Sequence, residues 1–157
     1  MRALAPNPRG RATREDTSLG LSTKQLADRQ AIIEVIDRYA TSLDAKDYQR
    51  FMTCFSEDAI VHYSDDLVGP ESTAAYAKAA LDQFSSTQHL LGNYEINLDG
   101  DQATAQTYMH ASHITSEGEI WVVGGTYIDR FERRDGEWKI IERTLDGKWS
   151  ERRKISE

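Results

Sequence analysis

Residues 22–44, STKQLADRQAIIEVIDRYATSLD, decide the fold because they predict a long amphipathic helix that ends on a carboxylate. Ser22 and Gln25 have the spacing of a capping box, in which each side chain bonds the backbone N–H of the other residue. Apolar residues recur on one side of this helix at helical spacing. We therefore expect a core-facing stripe formed by Leu26, Ile32, Ile33, Ile36, Tyr39, Ala40 and Leu43.

Asp44, the last residue of the predicted helix, is the first candidate functional residue. Its angular position lies close to the apolar stripe, so its side chain projects toward the core side of the helix end. A carboxylate buried without a partner is costly, so Asp44 requires a hydrogen-bonded or charged partner. The alternative is a helix-end carboxylate that caps the turn before Lys46.

The length of 157 residues predicts one domain with room for a sizeable core. A hydrophobic fraction of 39% and a charged fraction of 29% are typical of a soluble globular protein. We divide the chain into a disordered leader at 1–21, a folded domain at 22–150 and a polar C-terminal tail at 151–157.

Charge and composition argue against several classes of function. The net charge of −7 disfavours a nucleic-acid partner, and no basic run favours a membrane surface. The sequence has no apolar run of about 18 residues, the length that a membrane span needs. The leader lacks the apolar region of a secretory signal. The single cysteine, Cys54, excludes an intramolecular disulfide, so we expect a cytoplasmic protein with Cys54 as a small buried hydrophobic residue.

The sequence also lacks the common signatures of cofactor and metal sites. The histidines have neither HxH nor HExxH spacing, which disfavours a zinc site. There is no phosphate-binding glycine loop and no GxSxG motif, which disfavours nucleotide and serine-hydrolase chemistry. We therefore predict no metal and no cofactor.

Downstream of the first helix, the pattern predicts two short helices and five strands. Asp-Gly pairs between alternating runs indicate tight hairpins. Four hairpin-linked strands form an antiparallel meander, and the helices must cover one of its faces, which gives an α+β fold with a cavity between helices and sheet. The predicted helices are 46–55 and 70–84, and the predicted strands are 58–63, 87–98, 102–115, 119–132 and 137–149.

Strand alternation suggests which charged residues face this cavity. Arg143 shares a strand face with Ile141, Leu145 and Trp149, which makes it the second charged residue expected to face the cavity. His110 and His113 fall on opposite faces of their strand, and alternation alone leaves open which face is inward. Gly92 could mark a bulge that changes the alternation after His89.

These features resemble the SnoaL-like branch of the NTF2-like superfamily. The resemblance rests on the order of elements, LADRQAI at 26–32, Tyr39 with Leu43-Asp44, His89 after the third helix, and RRDGEWK at 133–139. The branch includes scytalone dehydratase, bile-acid 7α-dehydratase and hexachlorocyclohexane dehydrochlorinase. The resemblance covers about residues 22–149 and implies a cone, in which a strongly curved sheet packs on three N-terminal helices around a deep apolar pocket. It is less specific for the reaction, because this fold supports many functions.

The resemblance also implies candidate catalytic residues. The family's lyases use an Asp from the first helix and a His from the strand after the third helix, and these positions match Asp44 and His89. Tyr39 matches a tyrosine that helps activate a substrate oxygen, and Arg143 matches an arginine of the last strand. His110 resembles the second histidine of scytalone dehydratase.

Such a dyad would catalyse elimination of water without a cofactor. A neutral imidazole takes a proton from carbon, and the carboxylate fixes its tautomer and stabilises the imidazolium. Tyr39 or Arg143 would stabilise charge on a carbonyl oxygen. Aromatic walls suit a small hydrophobic substrate, aromatic or polycyclic, and the candidate walls are Phe51, Phe55, Tyr63, Trp121 and Tyr127.

Several alternatives remain open at this stage. An isomerase or a polyketide-cyclase-like enzyme would use the same pocket and proton shuttle. A non-catalytic small-molecule binder, or a scaffold subunit like the small subunit of ring-hydroxylating dioxygenases, would need no dyad. Arg143 could simply pair with Asp44, Asp129 or Glu142. We also expect a homodimer or homotrimer, because sheets of this shape usually expose a broad outer face.

Overall fold

The computed structural model describes residues 20–155. The predicted leader, 1–21, lies outside this range except for its last two residues. The described part contains three helices and six strands, one strand more than predicted, and its α+β arrangement is confirmed. The helices are α1 (Thr23–Asp44), α2 (Tyr48–Met52) and α3 (Gly69–Leu81), and the strands are β1 (Phe55–His62), β2 (Asp66–Val68), β3 (Ser86–Asp99), β4 (Gln102–Ile114), β5 (Glu119–Arg134) and β6 (Glu137–Lys154).

All six strands form one mixed sheet in the order β2-β1-β6-β5-β4-β3. Neighbouring strands are antiparallel except β1 and β6, which pair in parallel. The helices cover one face, and the core between helices and sheet contains Ile32, Ile36, Phe51, Phe131 and Ile140. The predicted meander of β3, β4, β5 and β6 is therefore confirmed, but its last strand, β6, also pairs with β1.

Several elements differ from the sequence prediction. α2 is shorter than the predicted 46–55, β1 begins at Phe55, and α3 ends at Leu81. The short strand β2 was not predicted, because only three residues pair there with β1. β6 continues to Lys154, so residues 151–154 belong to the sheet and the predicted C-terminal tail is shorter. These residues are exposed, and their polar character hid the strand.

The capping box at the start of α1 is confirmed. The backbone N–H of Gln25 donates to Ser22 Oγ at 3.2 Å, and the backbone N–H of Ser22 donates to Gln25 Oε1 at 2.8 Å. The apolar stripe is mostly confirmed, because Ile32, Ile36, Tyr39, Ala40 and Leu43 are buried. The prediction that Leu26 faces the core is wrong, since Leu26 is 55% exposed in the first turn, where the helix extends beyond the core.

Bulges in the sheet change which side chains face inward. One register shift lies after Gly92, as the sequence suggested, and another lies between Gly124 and Gly125. In the second, Gly124 pairs with Trp149 and Gly125 pairs with Gly147, so one extra residue enters β6. Trp149 consequently lies on the outer face against His110, and the predicted common face of Trp149 and Leu145 is wrong.

No helix in residues 20–155 is both long enough and apolar enough to cross a membrane.

The bulge predicts that a side chain larger than hydrogen at Gly125 destabilises the fold. A Cβ at this position would lie 2.7 Å from the carbonyl oxygen of Asp146, so the β6 backbone would have to move. We expect Gly125→Ala to lower the free energy of unfolding by about 1–3 kcal/mol, the usual cost of overpacking. Urea denaturation measures this change.

Gly92→Ala is the matched control, because no heavy atom lies within 4 Å of a Cβ at that glycine. We expect this substitution to be neutral or slightly stabilising, since alanine lowers the entropy of the unfolded chain. Equal stabilities of the two variants would contradict the tight contact at Gly125.

Candidate active site

The carboxylate of Asp44 holds the end of α1 against the beginning of β3. Its Oδ2 accepts the backbone N–H of His89 at 2.9 Å, and its Oδ1 accepts the Thr87 hydroxyl at 3.0 Å. The Nδ1 atom of His89 lies 2.7 Å from Oδ1. The structure therefore brings together the two residues predicted as a dyad, and Thr87 is a third member that sequence reasoning missed.

The surroundings of Asp44 keep it ionised. Burial raises the pKa of this carboxyl, but hydrogen bonds from the His89 side chain, the His89 backbone and Thr87 outweigh burial and bring the pKa below its ordinary value. An ionised carboxylate can only accept, so Nδ1 of His89 must carry the proton that faces it. In neutral His89, Nε2 then has a free lone pair and can act as a base.

His89 lies in the wall of an open cavity between α1, α3 and the inner face of the sheet. The cavity has a volume of about 190 Å³. The His89 side chain is only 5% exposed, so a ligand there would meet a largely dehydrated imidazole. Apolar side chains form much of the remaining wall, and they are Leu43, Ala77, Ala80, Leu81 and Leu145.

Three tyrosine hydroxyls also meet at this cavity. The Tyr39 hydroxyl lies in close hydrogen-bond contact with that of Tyr63 and donates to that of Tyr127 at 3.3 Å. Burial raises the pKa of Tyr63 and of Tyr127 well above the ordinary value, so both remain protonated. We call these three residues the tyrosine cluster. All three residues line the cavity, and the role expected of Tyr39 toward a substrate oxygen stays a prediction.

Arg143 lies behind the tyrosine cluster instead of lining the cavity. It is fully buried, and its Nε and Nη2 atoms both donate to Asp129 at 2.7 Å. Burial works against this charge, but Asp129 keeps the pKa of Arg143 well above its ordinary value. Asp129 was one of the three partners considered from the sequence. The geometry does not support direct contact between Arg143 and a substrate carbonyl.

The two histidines of β4 occupy opposite faces, and the prediction for His110 is wrong. His110 is exposed on the outer face, where its ring lies against Trp149. His113 is buried on the inner face, with its ring centroid 5.6 Å from that of His89. The signal was present in the sequence, because Ala103, Ala105, Met109 and Ala111 share the odd-numbered face with His113.

His113 is held as a neutral base. Burial lowers the pKa of His113, and this effect is only partly offset by a hydrogen bond of 3.2 Å between Nδ1 and the Trp121 carbonyl. Because a carbonyl can only accept, Nδ1 carries the proton and Nε2 has the lone pair. The position of His113 beside His89 makes it a candidate site residue that sequence reasoning did not select.

The structure places the five predicted wall residues in different surroundings. Tyr63 and Tyr127 line the cavity. Phe51 and Phe55 are buried in the core behind Tyr39, with ring centroids 5.1 and 6.1 Å from its ring, so they support the wall from outside. Trp121 packs against His113 instead, with 4.9 Å between ring centroids. Tyr76 of α3 also lines the cavity, and sequence reasoning missed it.

A second histidine–aspartate pair provides a useful comparison. His62 Nδ1 lies 2.6 Å from Asp66 on β2, and Glu142 is close to the other ring nitrogen. Hydrogen bonding to Asp66 raises the pKa of His62. This pair does not line the cavity of His89. Among residues 20–155, no three His, Cys, Asp or Glu side chains gather in a way that could hold a metal ion.

Comparison with known proteins gives a family match and several distant relatives. A family model described as "SnoaL-like domain" matches residues 24–144. Uncharacterized proteins of Mycobacterium tuberculosis and Mycobacterium bovis are each 26% identical over 129 residues, which cover 78% of this chain and 87% of the relative.

Solved structures show the same fold at low sequence identity. A proposed scytalone dehydratase of Novosphingobium aromaticivorans has a TM-score of 0.76 and 22% identity, over 83% of this chain and 91% of the other. A hexachlorocyclohexane dehydrochlorinase, LinA type 2, has a TM-score of 0.75 and 21% identity, over 81% of this chain and 89% of the other. At these identities the likeness shows the NTF2-like fold and no more.

The Asp44 carboxylate predicts the tautomer of His89. We expect ¹⁵N ring shifts of neutral His89 to show the proton on Nδ1, because Nδ1 faces Asp44. Asp44→Asn should shift His89 toward a mixture of tautomers, while Asp65→Asn, at an exposed aspartate of the β1–β2 turn, should leave it unchanged. His89→Gln assigns the signal. An identical tautomer in the wild type and Asp44→Asn would contradict the proposed role of the carboxylate.

The lowered pKa of Asp44 predicts how its contribution to stability depends on pH. Because the folded state favours the ionised form, this contribution is complete above the unfolded pKa of about 3.9 and is lost as pH falls through the folded value. We expect Asp44→Asn to be less stable than the wild type at neutral pH, and the difference to shrink in acid. Urea denaturation at neutral pH and near pH 3 measures both differences. A constant difference would contradict the linkage.

Proposed function

This chain belongs to the SnoaL-like domain family, and on that basis we propose that it is a cofactor-independent lyase that eliminates water from a small hydrophobic, hydroxylated substrate. The contact between Asp44 and His89 at the cavity wall carries the proposal. The fold shared with a proposed dehydratase and a dehydrochlorinase supports an elimination reaction.

The proposed reaction uses His89 as both base and acid. Nε2 of His89 takes a proton from a carbon next to a substrate carbonyl, and Asp44 stabilises the resulting imidazolium. The C–H electron pair forms an enolate, whose oxygen accepts hydrogen bonds from the tyrosine cluster. The enolate then expels the β-hydroxyl group, which takes the proton back from His89 and leaves as water. Atoms and charge balance without a cofactor.

His113 supports His89 from behind the cavity wall. Its ring is held by Trp121 and Phe84 and packs against the His89 ring. We propose that His113 is a positioning residue for His89, because its neutral Nε2 has no proton to give to a leaving hydroxyl group. No catalytic role remains for His110, which the sheet places on the outer face.

The cavity favours a substrate at the small end of the predicted range. Its volume of about 190 Å³ is below the 300–1,000 Å³ typical of pockets for drug-sized ligands. A molecule of one or two rings therefore fits better than a steroid. The cavity lining contributed by the described residues includes no Lys or Arg, which favours an uncharged substrate.

Two other functions remain as alternatives. An isomerase or polyketide-cyclase-like enzyme would use the same base and tyrosine cluster, but would return the proton to carbon or form a carbon–carbon bond. Without His89, a non-catalytic binder would still bind its small molecule. A scaffold subunit would still bind its larger partner. Co-purification of a larger iron–sulfur partner would favour the scaffold.

The expected self-association and cytoplasmic location stay predictions. A homodimer or homotrimer is supported by large apolar side chains on the outer face of the sheet. Leu90, Tyr108 and Trp149 are all more than half exposed there. They border a groove of about 580 Å³ on the side opposite the dyad.

The proposal predicts which variants lose activity. We expect Asp44→Asn and His89→Gln to lower kcat/KM by about 10²–10⁴-fold, the usual contribution of general acid–base catalysis. The assay is a panel of one- and two-ring β-hydroxy ketones, with elimination followed by the absorbance of the conjugated enone.

His62→Gln is the matched control, because His62 also has an aspartate partner but lies outside the cavity. His110→Gln should also retain activity. If the wild type eliminates water and His89→Gln is equally active, the proposed dyad mechanism fails. If the wild type binds panel compounds without converting them, the binder alternative replaces the lyase.

A further inference from the structure

We infer that the buried Asp129–Arg143 pair strengthens the tyrosine cluster as a binding site for an enolate or phenolate oxyanion, with Arg143 as a positioning residue that acts through Tyr39 and Tyr127. The inference deepens the proposed function, because it concerns the oxygen on which negative charge would develop. It gives Arg143 a role without direct contact with the substrate.

The guanidinium of Arg143 lies between two tyrosine rings. Its central carbon is 4.0 Å from the ring centroid of Tyr39 and 4.2 Å from that of Tyr127. Both tyrosines are almost completely buried, so water does not screen these contacts. A cation held against a phenol ring stabilises negative charge on the phenol oxygen and makes the hydroxyl a stronger hydrogen-bond donor.

Asp129 fixes the guanidinium without satisfying all of it. The carboxylate accepts from Nε and Nη2 in a bidentate arrangement, which fixes the orientation of the guanidinium plane. Nη1 is buried and has no hydrogen-bond partner among residues 20–155. The pair is thus neutral overall, but its positive end points away from Asp129 and lies against the two phenol rings.

A stability role alone accounts poorly for this arrangement. Replacing a buried ion pair with apolar side chains is often neutral or stabilising, so such pairs are weak evidence for stability. The effect of the Arg143 charge on two neighbouring tyrosines supports an electrostatic role. Arg143 lowers the pKa of both Tyr63 and Tyr127, although burial raises these pKa values more strongly.

The consequence for catalysis is selective binding of the charged intermediate. A neutral carbonyl oxygen gains little from a strengthened donor, whereas an enolate oxygen gains much more. Arg143 does not line the cavity, so it favours negative charge only on an oxygen bound to the tyrosine cluster. A ketone that binds as a neutral molecule would gain this stabilisation when His89 removes its proton.

The test measures how the protein binds 4-nitrophenol, whose absorbance separates the phenol from the phenolate. We expect the wild type to bind the phenolate form preferentially. The double variant Asp129→Asn with Arg143→Met should lose about tenfold in phenolate affinity, a loss within the range of one cation–π contact. Its affinity for the neutral phenol should change little.

The matched control is Arg130→Met with Glu142→Gln, which removes an ion pair on the outer face of the sheet. It should bind 4-nitrophenolate as the wild type does. Arg143→Lys is a second test variant, since lysine retains the charge without the planar group that stacks on the rings. We expect Arg143→Lys to fold even if the double variant does not. Arg143→Lys should also weaken the preference for phenolate over phenol.

The inference fails if the wild type does not bind 4-nitrophenol, or if the folded variants of the buried pair bind phenolate as tightly as the wild type. His89→Gln separates this result from the proposed elimination. Retained phenolate binding in His89→Gln, together with a wild type that eliminates no water, would overturn the lyase and leave the oxyanion site standing.

Discussion

The hydrogen bonds around one carboxylate connect the fold to the site. Asp44 ends the long helix α1 at the core, where an isolated anion would be costly. Thr87 and both donors of His89 come from the first residues of β3, so satisfying Asp44 also fixes how the helix docks on the sheet. The same bonds set the tautomer of His89. Helix packing and the basicity of the cavity wall thus depend on a single interaction.

Sequence patterns predicted the main elements because hydrophobic period and turn chemistry agree along most of this chain. The capping box at Ser22 and the Asp-Gly hairpins gave the helix start and the meander. The prediction failed where the pattern was weak or interrupted. β2 is too short to have a period, and the exposed end of β6 is polar. At Gly125, an extra residue in β6 reverses the alternation, so Trp149 faces outward.

The site was predicted less completely, and each miss has a physical cause. Asp44 was selected from its place at the end of α1, and a resemblance added His89 and Tyr39. The structure places His89 against Asp44, and His89 and Tyr39 line the cavity. His110 was chosen over His113 although the small apolar neighbours of His113 indicated the inner face. Phe51 and Phe55 were expected as walls, but aromatic residues more often fill a core. The partner of Arg143 depends on cross-strand register, which the sequence alone does not fix.

The place of β6 in the sheet has a consequence for the order of folding. β6 is the last described strand along the chain, yet it lies between β1 and β5. During synthesis, β3, β4 and β5 can pair early through local hairpins, whereas β1 must wait for a partner that begins at Glu137. Until then both β1 and β5 have an open edge that can aggregate. Because β6 also carries Arg143, the nascent chain acquires the buried cation only in the step that completes its sheet.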